Sequence, residues 1–92
     1  MRLLGKQKLH GLISRHPDIR SWASGWASEI ATANWKRPAD VRTQFPRARE
    51  TEPGTFAFPV AEMPIAVVLA VAFPQGIALI KDLINRDDQN GR

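Results

Sequence analysis

A chain of 92 residues without cysteine holds one modest core and excludes both a disulfide framework and a cysteine–zinc site. Its formal charge of +4 is unevenly spread: ten Lys and Arg against four Asp and Glu over residues 1–50, then three against five over residues 51–92. The front half is therefore the part expected to attract polyanions or an acidic partner, and the rear half the part expected to form core.

The opening MRLLGKQKLHGLISRHPD predicts a short strand at Arg2–Leu4. Lys6, Lys8 and His10 then interrupt any hydrophobic run before it resembles a secretory signal, so a cytoplasmic location is expected. Leu9, Leu12, Ile13 and His16 fall at i, i+3, i+4 and i+7, one face of a helix that Pro17 closes. Asp18 is the expected N-cap of a second helix, whose stripe is Ile19, Trp22, Ala23, Trp26, Ile30 and Ala33. Gly25 costs that helix roughly 1 kcal/mol against alanine, and close approach of a neighbour is its expected compensation. A two-residue connection would make the two helices an antiparallel pair.

The segment KRPADVRTQFPRARETEPG has no lasting period. Pro38 suits the first helical position, so a helical turn is expected at Pro38–Gln44, with loop beyond it to a turn at Pro53-Gly54. TFAFPV, PIAVVLAVAF and GIALIKDLI then read as three strands, the last two separated by Pro74-Gln75-Gly76. The 17 uncharged residues from Pro64 to Ile80 are broken by that turn, whereas a membrane helix needs about 20 apolar residues, so no membrane span is expected. Their continuous apolar character predicts strands covered on both faces, one of them by the helices. The whole is expected to be one α+β domain over residues 1–92. Its order is β-α-α-β-β-β, with two N-terminal helices packed on a small antiparallel sheet.

No Ser-His-Asp, phosphate-loop or metal arrangement stands out, and no cofactor is expected. His10 and His16 are six residues apart and point to different faces, and Asp87 and Asp88 read as solvated rather than as a metal pair. The strongest compositional signal is the cluster Lys36, Arg37, Arg42, Arg47 and Arg49. Such cations pair with phosphates, and Trp35 and Phe45 lie nearby as stacking surfaces for bases. A second reading stands beside that one: Trp35 packs the helical core and the arginines only solubilise a loop.

Asn34-Trp35-Lys36-x-Pro38-Ala39-Asp40-Val41 resembles the Trp-Lys-x-Pro-x-Asp segment of the HigB-type toxins, in the RelE/ParE superfamily. The basic start ending in His16-Pro17-Asp18 is similar to that family's opening. So is the tail, with Phe58-Pro59-Val60, an apolar strand, a Gly turn and Ile77-Ala78-Leu79-Ile80-Lys81. The likeness runs in order over residues 1–88. It implies a RelE-like fold, an endoribonuclease that cuts mRNA on the ribosome, and a helix-turn-helix antitoxin as partner. It places catalytic cations at Arg86 and Lys81 and RNA anchors at Lys36, Arg37, Arg42, Arg47 and Arg49.

The chain departs from the family's pattern at polar positions. Ala66 stands where the family strand carries an arginine, and Pro59 where it carries an asparagine. Arg86 replaces a histidine and Gln89 a tyrosine. Arginine stabilises phosphate charge but is a poor proton shuttle. Two further readings therefore accompany the nuclease: a degenerate relative that works as a protein-binding module, and a ParE-like toxin with a target other than RNA.

Overall fold

A computed structural model describes residues 1–85. The elements are β1 (Arg2–Leu4), α1 (Lys6–Arg15), α2 (Arg20–Thr32), α3 (Pro38–Gln44), β2 (Arg49–Glu52), β3 (Thr55–Pro59), β4 (Ile65–Ala72) and β5 (Ile77–Asn85). The result is an α+β fold in which N-terminal helices precede most of a five-stranded sheet of order β1-β5-β4-β3-β2.

The sheet is mixed rather than antiparallel. β1 runs parallel to β5, with Leu3 opposite Ala78, while the other neighbouring pairs are antiparallel. The extra strand, β2, falls within the segment expected to be loop. Its sequence RETE has no apolar alternation, and all four residues are exposed. It is a charged edge strand, the kind of edge that discourages pairing with another chain.

Register fixes which residues share a face. Phe58–Val67–Leu83 and Phe56–Leu69–Ile80 form cross-strand rows that join the core, as does Val71–Ala78–Leu3. Leu9 and Leu12 of α1 and Ala23, Trp26 and Ile30 of α2 belong to the same buried cluster. The helical stripes read from spacing are therefore the faces that pack on the sheet, although His16 and Trp22 at their margins stay half-exposed.

Two local expectations need correction. A 3-10 turn at Pro17–Ile19 joins the first two helices, so the connection exceeds two residues and Ile19, not Asp18, takes the N-cap position of α2. No neighbour approaches Gly25 either: an added Cβ there meets nothing within 4 Å. The same holds at Gly11, in the exposed face of α1. Gly11→Ala should consequently stabilise the fold by about 1 kcal/mol, through helix propensity and a less free unfolded chain. Denaturant melts of the two proteins check this, and a loss of stability would contradict it.

The second face of the sheet also differs from expectation. Rows Leu4–Leu79–Ala70–Thr55 and Asp82–Val68–Ala57–Arg49 lie opposite the helices. Leu4 and Leu79 are 37% and 42% exposed there, so this end of the face is open among the described residues, while Thr55, Ala57 and Ala66 on the same face are buried. Small residues, Ala57, Ala66 and Ala70, make its floor. Among the described residues no helix is long and apolar enough to cross a membrane.

Candidate functional site

The motif that carries the family resemblance has structural work in this chain. Trp35 is only 3% exposed, meets Phe45 edge-on at 6.1 Å and donates its indole N–H to Gln44 Oε1 at 2.9 Å. Its ring is thus a core element rather than a stacking surface for bases. Pro38 opens α3, where a missing N–H costs nothing. Asp40, at the third helical position, accepts the backbone N–H groups of Lys36 at 2.8 Å and Arg37 at 3.3 Å. This arrangement ties the loop to the helix start and sets a carboxylate at the positive end of the helix. Val41 is fully buried. Trp35, Pro38, Asp40 and Val41 therefore specify how α3 docks, and they bring no reacting group together.

The basic residues around them remain accessible. Lys36, Arg37, Arg42, Arg47 and Arg49 are all exposed, distributed over the loop before α3, the helix itself, the turn that follows it and the edge strand β2. Two are partly neutralised. Arg42 pairs with Glu50 at 3.1 Å, and Arg37 Nε lies 3.9 Å from Asp40 Oδ1 with its side chain 78% exposed. Pairs this exposed are worth little to stability and yield readily to a phosphate. Arg42→Ala should thus change stability by less than about 1 kcal/mol. If this surface binds RNA, the same change should flatten the dependence of log affinity on log salt by about 0.7, the single-strand value for one lost phosphate contact.

Of the two cations proposed as catalytic, Lys81 lies on β5 and Arg86 lies outside the described residues. Leu69 pairs with Ile80 and Val68 with Asp82, leaving Lys81 as the extra residue of a β-bulge. It is exposed there, and bulges are devices that re-aim side chains. Arg49 and Asp82 end the same cross-strand row, so three strand spacings, roughly 14 Å, separate β5 at this point from the basic edge strand. A polymer spans that gap; a single phosphate does not. Between them the floor is apolar. Ala66 is 2% exposed and pairs with Ile84 and Pro59. The described residues of this face hold no imidazole or phenol to move a proton. Neither protein-family models nor curated proteins match the chain.

A feature that the sequence reading missed is a cavity of about 570 Å³ beside the helical layer. Its aromatic walls are Trp22 and Trp26 from α2, Phe45 after α3 and Phe58 from β3. Trp22 stacks on Trp26 with centroids 5.8 Å apart and planes at 11°; Phe58 meets Trp26 edge-on at 5.5 Å and Phe45 at 5.2 Å. Arg47, Glu29 and Glu62 bring charge to the lining. Four separate segments converge here, so no local motif announces the site. The available hint was a tryptophan at the margin of the α2 stripe, followed three residues later by Gly25, which lines the cavity and leaves it open.

Proposed function

We propose that this chain is a HigB-like toxin with a RelE-like fold, an endoribonuclease that cuts mRNA on the translating ribosome and is restrained by a helix-turn-helix antitoxin. The observation that carries the reading is the exposed basic track, Lys36, Arg37, Arg42, Arg47 and Arg49, running from the α3 loop to the edge strand with, among the described residues, only Asp40 and Glu50 paired against it. Phosphate contacts of this kind supply most sequence-independent affinity for nucleic acid. The ordered resemblance over residues 1–88 supports the specific class.

The reaction proposed is the one the resemblance implies. A ribose 2′-oxygen attacks the adjacent phosphorus, its proton passes to solvent, and the bond from phosphorus to the 5′-oxygen breaks as that oxygen takes a proton. Lys81 and Arg86 would stabilise the negative charge building on the phosphate oxygens. The ribosome would hold the 2′-oxygen in line, a contribution large enough to offset weak proton transfer.

Ala66 and Pro59, with the apolar floor they share, favour a second reading as a protein-binding module. Translation of a reporter mRNA by purified ribosomes separates the two. The nuclease reading predicts fragments with wild-type protein and a loss of at least about 100-fold in cleavage rate for Arg86→Ala, on the scale of removing one transition-state donor. Fragments formed equally by Arg86→Ala and by the double variant with Lys81→Ala would overturn the assignment of these cations. Absence of fragments from wild-type protein would favour the binding module.

A further inference from the structure

We infer that the aromatic cavity is a base-binding site that takes one unstacked nucleotide of single-stranded RNA, with guanine preferred. The inference deepens the RNA reading above by naming what the surface grips, and it is tested by binding alone, without ribosomes or cleavage.

Two observations converge. The walls are aromatic: Trp22 and Phe45 are half-buried and line an open space large enough for a nucleotide. Every base has a π-face, and a base gains by stacking on such rings. The charged lining is also unspent. Arg47 and Glu62 make no hydrogen bond or ion pair among the described residues, and Glu29 holds only the Gln44 amide, at 3.4 Å.

The chemistry of the lining selects the base. A carboxylate only accepts hydrogen bonds, and guanine presents two adjacent donors, N1–H and the N2 amine, on one edge. Uracil offers a single N–H between two carbonyl oxygens, which a carboxylate repels. Arg47 suits the phosphate of the same nucleotide, and Arg49 lies two residues further along the basic track. That continuity points to a residue within a strand rather than to a free nucleotide. An apolar anchor from a partner protein would leave Arg47 and Glu62 without partners.

The test uses nuclear magnetic resonance, because three tryptophans give three indole N–H signals. Titration with GMP should move the signals of Trp22 and Trp26 saturably and leave that of Trp35, held by Gln44, in place. UMP should bind at least about tenfold more weakly, the scale of one bidentate base contact. Glu62→Gln should erase that preference, and Arg47→Ala should weaken GMP while leaving guanosine unchanged. Gly25→Ala adds a methyl group at the lining with no clash, so it should keep the fold and still weaken binding. A guanine-containing tetranucleotide should bind more tightly than GMP.

Equal affinity for the tetranucleotide and GMP would overturn the assignment to RNA. The inference is also overturned if neither nucleotide moves the Trp22 and Trp26 signals at millimolar concentration, or if GMP and UMP move them alike. A response to N-acetyl-leucine amide without a response to nucleotides would assign the cavity to a protein partner. Any of these results leaves the cleavage reading standing on its own assay, and loss of cleavage leaves base binding standing on this one.

Discussion

Gly5→Ala is expected to cost about 3 kcal/mol of folding stability, a large fraction of what a domain of this size has. Gly5 joins β1 to α1 with φ at +84°, a left-handed conformation that costs an L-residue roughly 1–2 kcal/mol. The larger problem is space. A Cβ on Gly5 would sit 2.7 Å from the carbonyl oxygen of Ile80, and that atom belongs to the backbone of a central strand. Relief requires moving either α1 or β5, and forced displacement in a packed core typically costs a further 1–3 kcal/mol. For a chain of this length the melting temperature should fall on the order of 15 °C. Gly76→Ala is the control: φ is +68°, but an added Cβ meets nothing within 4 Å, so only the conformational cost of about 1 kcal/mol applies. Equal losses in the two variants would mean that the close approach to Ile80 is absent.

Phe58→Ala should cost about 3 kcal/mol, toward the lower end of the range for a buried phenylalanine. The ring is 2% exposed and holds two edge-on contacts, with Trp26 and Phe45. It also lines the aromatic cavity, so the volume vacated joins a space already open rather than a sealed void. Phe56, fully buried and outside that lining, should cost about 4 kcal/mol when truncated the same way. Denaturant melts of both variants give the ranking. Phe58→Ala should in addition shift tryptophan emission, since Trp26 loses its edge contact; Phe58→Ala costing clearly more than Phe56→Ala would contradict the open geometry.

The elements that were legible in the sequence are those whose burial leaves a period. The stripes of α1 and α2, the proline that opens α3 and the turns at Pro53-Gly54 and Pro74-Gln75-Gly76 all state local physics. The β2 strand was not legible, because an edge strand made of Arg, Glu and Thr has no buried side to imprint alternation. Nor was the parallel pairing of β1 with β5, a contact between chain ends about which no local pattern speaks. The apolar run over β4 and β5 was read as covering on both faces. Among the described residues one face is core, while the other has a floor of small residues and is left open at Leu4 and Leu79.

The candidate site divides along the same line. The basic cluster was legible because charge is read directly, and the structure places all five cations at the surface. The role of the Trp35–Val41 motif was not, since a helix start and a base-stacking surface use the same residue types. Trp35 proved to be core. That segment is therefore accounted for by packing and capping, and the proposed chemistry would rest on Lys81 and Arg86, which the motif does not include.

The most direct measurement is therefore a map of mRNA 5′ ends in cells expressing the chain alone, beside a culture expressing Arg86→Ala. The account predicts new ends inside translated frames that vanish in the variant. Growth arrest without new ends, or ends that persist unchanged in Arg86→Ala and in the double variant with Lys81→Ala, would contradict it.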